Sequence, residues 1–271
     1  MFLVDTHCHL NKEYFPEGLE EVFRNAVSND VKRLIFASAD VSSSVEAVRL
    51  SETQMKDPEV WALAGIHPHE ASIAANGIPD EICKLAMHPR VVGIGEIGLD
   101  YFYDNSPRDL QKEVFRMQIE LAKSVKKPIV VHVRDAADRC RGNANEETLR
   151  ILRETGADEV GGVIHCFSGT AEDAAAACDL GFYISFAGPV TYKKNTDLRR
   201  IAADIPSDRI LCETDSPYLA PNALRGRRNE PCNVRYVYEI LSMLKGLSLD
   251  DFADIVMRNG ERRFGWAAEN V

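Results

Sequence analysis

The chain has 271 residues, of which 45% are hydrophobic and 27% charged, with 32 basic against 42 acidic side chains and a formal net charge of −10. That balance is the one expected of an ordinary soluble globular protein and excludes disordered, collagen-like and disulfide-scaffold chains; no apolar run approaches the roughly 20 residues of a membrane-spanning helix. The acidic excess argues against a broad non-specific nucleic-acid footprint, which calls for a basic surface, but leaves room for an acidic pocket that metal ions convert into a phosphate site.

In chain order, short runs rich in Val and Ile alternate with longer segments of helical period. The first strand is predicted over 2–6 and runs into Asp5-Thr6-His7-Cys8-His9. An acidic residue and two histidines arriving this early do not fit a secretory signal, so the expected compartment is the cytoplasm. Further strands are predicted over 33–38, 60–66, 91–97, 128–133, 161–167, 182–186 and 210–214. The clearest helix covers 108–124, where Leu110, Val114, Met117, Leu121 and Val125 recur at spacings of three and four. Pro107 stands just before it, with Asp109 and Gln111 near its start. An additional helix is expected over 249–262.

Eight strand–helix units, with no Pro/Gly/Ser-rich linker or low-complexity tract between them, fit a single (β/α)8 TIM barrel domain over 1–271. The competing doubly wound sheet would place a glycine-rich phosphate turn after the first strand, where no glycine occurs before Gly18. Residues 93–98 come close to such a fingerprint but carry an acid, Glu96, where a phosphate would need backbone amides. The seven cysteines (Cys8, Cys83, Cys140, Cys166, Cys178, Cys212 and Cys232) form no C-x-x-C pair and leave an odd count, which suits reduced thiols. Cys8, Cys166 and Cys212 lie in apolar runs and read as small buried hydrophobes.

The chemistry collects at strand ends. His7 and His9 follow the first strand, Glu96 ends the fourth, His132 lies in the fifth, His165 in the sixth, and Asp215 just after the eighth. In a barrel all the C-terminal strand ends open on one face, so residues far apart in sequence converge there. His7 and His9 are two apart and point to the same side of an extended segment. One buried histidine is more often a satisfied core residue, but four with two carboxylates are costly to bury without a cation. Six candidate ligands fit two divalent ions about 3.5–4 Å apart with one bridging carboxylate. Glu96, between small neighbours, is the natural bridge; His7, His9 and Asp215 would hold one ion, and His132 with His165 the other. Two ions lower the pKa of a shared water toward about 7, with Asp215 as ligand and proton acceptor, so the reaction class is hydrolysis. Imidazole ligands suit Zn, Mn, Fe or Ni, and Mg is also compatible.

Other stretches bear on the substrate. Gly65-Ile66-His67-Pro68-His69 puts two more imidazoles at the rim, and Arg134, two residues beyond His132, suits a bidentate phosphate or carboxylate clamp. Its bland alternative is a salt bridge to Glu96 or Asp135. The stretch 224–231 concentrates Arg225, Arg227 and Arg228 in a glycine-containing loop that either tracks a nucleic-acid backbone or is merely solvated. Tyr101, Phe102, Tyr103, Tyr192 and Tyr218 offer stacking faces for bases, against the ordinary alternative of loop packing.

The opening Asp-Thr-His-Cys-His, the Gly-Ile-His-Pro-His, Gly-Glu-Ile-Gly-Leu-Asp-Tyr at 95–101, His-Cys-Phe-Ser-Gly at 165–169, Glu-Thr-Asp-Ser-Pro-Tyr-Leu at 213–219 and Arg-Gly-Arg-Arg-Asn-Glu-Pro at 225–231 resemble the TatD family of metal-dependent deoxyribonucleases, from residue 3 to about 266. The family belongs to the amidohydrolase-like TIM barrels. The resemblance implies a two-metal phosphodiesterase acting on DNA, commonly a 3′→5′ exonuclease of single-stranded ends. It implies Mg or Mn as working ions, with Zn or Ni also able to fill the site. The family ligands fall on His7, His9, Glu96, His132, His165 and Asp215, the six already selected by position. Arg134, His67 and His69 are then expected to hold nonbridging phosphate oxygens, and Glu213, on the same strand side as Asp215, to orient a ligand histidine. A monomer without membrane partners is expected. Two alternatives stand beside this reading. One is an amidohydrolase-type enzyme cleaving a C–N, ester or D-aminoacyl-tRNA bond, although many binuclear members bridge with a modified lysine where Glu96 stands. The other is a barrel that binds metal or protein without turnover.

Overall fold

The computed structural model describes residues 1–138 and 142–266. The eight strands are β1 (Leu3–Cys8), β2 (Val31–Phe36), β3 (Glu59–Ala64), β4 (Val91–Asp100), β5 (Ile129–Arg134), β6 (Gly162–Ile164), β7 (Tyr183–Phe186) and β8 (Ile210–Cys212). The helices are α1 (Glu20–Ser28), α2 (Val41–Thr53), α3 (Asp80–Ala86), α4 (Arg108–Val125), α5 (Ala144–Glu154), α6 (Ala171–Asp179), α7 (Thr196–Asp204), α8 (Val234–Lys245) and α9 (Leu249–Phe264). The strands form one sheet in the order β1 to β8. Beyond β8, Ser216 bridges Cys8 in parallel, and the His9 N–H donates to the Ser216 carbonyl at 2.7 Å, so the last strand returns to the first. The fold is the (β/α)8 TIM barrel expected from the sequence, with α9 as the additional C-terminal helix. Every residue of β1 and of β4 is buried. A parallel sheet is covered on both faces, so even the polar Asp5, Thr6 and His7 of β1 and Glu96 and Asp100 of β4 are buried.

The chain groups into two compact units, one of Met1–Ile35, Gln54–Val60 and the residues from Ser185 onward, the other of Phe36–Thr53 and Trp61–Ile184. The divisions around Ile35 and Ile184 fall inside β2 and β7 rather than in linkers. In the first unit α8 and α9 back the strands: the buried Tyr238 hydroxyl donates to the Val4 carbonyl at 3.0 Å and accepts the Val4 N–H at 3.2 Å. Asn259 on α9 donates to the Ile210 carbonyl at 2.8 Å. Ser248 caps the start of α9, and Gly265, with φ of 65°, ends it.

In the second unit, β4 pairs with β5 in a register that shifts between Ile94 and Ile97. Three residues of β4 there span two of β5, so Gly95–Glu96 form a bulge that re-aims the Glu96 carboxylate. Gln118 on α4 clamps Ile66 by both backbone groups, accepting its N–H at 2.7 Å and donating to its carbonyl at 2.9 Å. That clamp anchors a short 3₁₀ helix, Pro68–Ala74, whose Ala71 and Ala74 pack with Ile66, Ile82 and Val114.

Strand limits differ from the sequence prediction in several places, and β6 and β8 end early where the backbone turns left-handed. β4 runs three residues further than 91–97, to Asp100. β6 stops at Ile164 because Cys166 has φ of 44°, although His165 still donates its N–H to the Val131 carbonyl at 3.1 Å. β8 stops at Cys212: the Thr214 N–H goes to the Asp5 carboxylate at 2.8 Å, and Asp215 has φ of 54°. The cysteines Cys8, Cys83, Cys166, Cys178, Cys212 and Cys232 are free, and burial pushes the Cys8 and Cys212 thiols well up, which leaves them inert. Cys140 lies outside the described residues. Among those described, no helix is long and apolar enough to cross a membrane.

Candidate active site

In the first unit, β1 delivers His7, and the next residue but one, His9, extends the same edge. Asp5 fixes this strand end: buried, and pushed well up by that burial despite the hydrogen bonds it accepts, it takes the Thr214 N–H at 2.8 Å and the His7 N–H at 3.3 Å. The left-handed backbone at Asp215, a conformation that aspartate tolerates better than most residues, turns its side chain back toward the histidines. Its N–H donates to the His7 carbonyl at 2.9 Å. Asp215 Oδ1 then stands 3.4 Å from His9 Nε2 and 3.9 Å from His7 Nε2. The three donor atoms lie within 4.8 Å of one another. Glu213 is wholly buried, its N–H bonded to the Phe186 carbonyl at 3.1 Å.

In the second unit the centre is Glu96. Its Oε1 lies 2.7 Å from His132 Nδ1, 2.8 Å from His165 Nε2 and 3.5 Å from His67 Nε2. The Glu96 N–H donates to the Ser38 carbonyl at 2.9 Å, which locks the bulge in place. His132 is held at both ring nitrogens, since its Nε2 lies 3.0 Å from Asp100 Oδ2. The same oxygen is 3.0 Å from His69 Nε2. Asp100 Oδ1 accepts the N–H groups of Phe102 and Tyr103, each at 2.9 Å. Burial alone would raise the Asp100 carboxyl, but the bonds from His132, His69 and the Tyr103 amide outweigh it and hold it well below the usual range. Burial likewise depresses His132, and there its bonds to Asp100 and Glu96 prevail and raise it.

His67 has a different chemical character. Its Nδ1 accepts the His69 backbone N–H at 3.1 Å, so the neutral ring carries its proton on Nε2, facing Glu96. Burial pushes its pKa down to about 4, despite the attraction of Glu96, and keeps the ring neutral. Although His67, Glu96 and His132 offer donor atoms within 4.8 Å of one another, His67 is thereby a hydrogen-bond donor rather than a ligand. His67 and His69 were expected at the rim. Instead His67 is buried against His132, with ring centres 4.5 Å apart, and His69 turns its Nε2 to Asp100.

Both clusters fit divalent cations. Two imidazoles and one carboxylate make a mixed nitrogen–oxygen set at His7, His9 and Asp215. At Glu96 the nitrogens of His132 and His165 crowd one carboxylate oxygen, an arrangement that needs a proton at each contact or a cation in their place. Asp100 completes a carboxylate–histidine pair behind His132, the usual support of a metal-ligating imidazole. Position at a strand end did not single out Asp100. Its even spacing from Glu96 along an extended strand, which puts both on one side, was the available signal.

Arg134 does not pair with Glu96 or Asp135; among the described residues it makes no ion pair. Its guanidinium lies over two rings, 4.3 Å from the centre of Phe102 and 4.8 Å from that of Tyr103. Tyr101 is buried and packs under Arg108, which removes it from the stacking candidates. In the basic loop Arg228 is tied down, packed on Phe15, bonded to the Tyr14 carbonyl at 2.8 Å and paired with Glu17. Arg225 lies 4.9 Å from the Tyr192 ring centre, and Arg227 is exposed. Tyr218 is exposed, its hydroxyl bonded to that of Tyr14 and its ring 5.8 Å from His9.

Residues 4–265 match the family described as TatD related DNase. The chain is 42% identical over 262 residues to the uncharacterized metal-dependent hydrolase YabD of Bacillus subtilis, covering 97% of this chain and 98% of that one. It is 32% identical to the 3′-5′ ssDNA/RNA exonuclease TatD of a Rahnella strain, covering 96% and 97% respectively. The crystal structure of YjjV, a TatD homolog of Escherichia coli, superposes with a TM-score of 0.84 at 25% identity, covering 97% of this chain and 98% of that one. With these likenesses spanning nearly its whole length, the chain belongs to the TatD-related DNase family and is a metal-dependent hydrolase.

Proposed function

We propose that this hydrolase cleaves phosphodiester bonds of DNA, as a 3′→5′ exonuclease of single strands using two divalent ions, Mg or Mn. The observation that carries the reading is the pair of nitrogen–oxygen clusters, His7–His9–Asp215 and Glu96–His132–His165. They occur in a chain related throughout its length to a protein named as a single-strand exonuclease. Each cluster would hold one cation. When bound, the cations lower the pKa of water toward neutrality and offset charge on the phosphoryl oxygens. Asp215 accepts the proton of the attacking water. His67, neutral and protonated on Nε2, donates to a nonbridging oxygen. His69, engaged by Asp100, positions rather than binds, and Glu213 supports a ligand histidine.

The test uses end-labelled single- and double-stranded DNA with Mg, Mn or Zn. The single strand should shorten from its 3′ end. Asp215→Asn should retain part of the metal binding and lose turnover by about 10²–10⁴-fold, the range for removing a general base. Glu96→Ala should be inactive, which also excludes a contaminating nuclease. Intact DNA with fully metal-loaded enzyme, alongside turnover of cyclic amides or D-aminoacyl esters, would replace this reading with an amidohydrolase one.

A further inference from the structure

The turn after β4 exposes two aromatic rings in succession: Phe102 is 46% and Tyr103 53% accessible. Exposed neighbouring aromatics lose hydrophobic stabilisation unless something covers them. They are held in place: both backbone N–H groups are pinned by Asp100 Oδ1, and the rings meet edge to face with centres 4.9 Å apart. Arg134 adds a charge over both. The group adjoins the second cluster, because the Tyr103 ring stands 5.4 Å from His69 and His69 shares Asp100 with His132.

We infer that Phe102, Tyr103 and Arg134 form a nucleobase subsite, which stacks a base of the strand whose phosphodiester is presented to the neighbouring histidine–carboxylate cluster. The chemistry is that of single-strand recognition: planar faces take any base, and a guanidinium beside them attracts the adjoining phosphate. A base held there by stacking needs no basic surface, which reconciles a strand substrate with a chain of net charge −10. Arg134 was expected to be a bidentate clamp. Laid on the rings, it instead joins the stack and supplies charge to the backbone beside it.

The inference rests on the nuclease reading, and the experiment separates the two. Binding of 5′-labelled single strands is followed by fluorescence anisotropy in Ca²⁺ at low salt. One strand carries thymine at every position, and the other has the same length but is abasic. The wild-type chain should bind the thymine strand at least about 10-fold more tightly, as one stacked base provides. The Phe102→Ala/Tyr103→Ala double variant, shown folded by circular dichroism, should lose that preference while keeping the abasic affinity. Phe102→Tyr and Tyr103→Phe, which keep the rings, should retain it. Equal binding of the two strands by wild type, no binding of either, or a preference surviving in the double alanine variant overturns the subsite. A chain that shows the preference yet cleaves neither strand in Mg or Mn overturns the nuclease reading alone. Cleavage without the preference overturns the subsite alone.

Discussion

Asp100 carries four hydrogen bonds on two oxygens, and the division between them defines what it does. Oδ1 fixes the turn that bears Phe102 and Tyr103, while Oδ2 faces the Nε2 atoms of His69 and His132. A carboxylate at that place requires His132 to keep its proton on Nε2, which leaves Nδ1, the atom facing Glu96, as the lone pair for a cation. Asp100→Asn keeps the shape and the acceptor for the turn but can place an amide N–H against His132 Nε2. The ring must then shift its proton to Nδ1, and the ligand atom is lost. We expect divalent-ion affinity at this cluster to fall about 10–100-fold, the usual effect of losing such a support. Competition with a chromophoric chelator reads this directly. An affinity within about two-fold of wild type would remove Asp100 from its positioning role.

At the scale of elements, β4 is where packing and chemistry meet. Gly98 has φ of 141°, and a Cβ built on it would come within 2.0 Å of the His132 carbonyl oxygen. Only glycine permits this approach of β4 to the strand carrying a proposed ligand. Gly98→Ala should therefore destabilise the chain by about 2–4 kcal/mol, combining an unfavourable backbone with a clash that separates the strands. A shift in the urea midpoint equivalent to less than about 1 kcal/mol would contradict this. The same strand shows which parts of the structure were legible. The buried strands announced themselves as Val- and Ile-rich runs, because a sheet covered on both faces selects such residues without alternation. The spacing of His7 and His9 followed from the period of two. Gly98-Leu99-Asp100 did not read as strand, and the Gly95–Glu96 bulge leaves no trace in a hydrophobic pattern, although it sets where the Glu96 carboxylate points. His67 and His69 read as rim residues because their burial depends on the 3₁₀ helix from Pro68 and on the Gln118 clamp, contacts that span 52 positions of sequence.

For the whole molecule, a cation at each proposed cluster would make stability depend on metal. Each compact unit contains its own donor set, His7–His9–Asp215 in the first and Glu96–His132–His165 in the second. An ion that binds the folded chain and not the unfolded one stabilises it by RT ln(1 + [M]/Kd), about 2.7 kcal/mol at 100-fold excess over Kd. In a chain of this size that corresponds to an increase in Tm of roughly 5–10 °C for each site filled, from about 2–4 °C per kcal/mol. Manganese added to chelator-treated protein should thus raise the unfolding temperature in two saturable steps and titrate to two ions per chain. His9 is partly accessible, so His9→Ala should fold normally and lose one step while keeping the other. Glu96→Ala should remove the complementary step, because it takes away the oxygen on which His132 and His165 converge. Were wild type to saturate at one ion, or His9→Ala to retain both increments, the assignment of a cation to each cluster would fail.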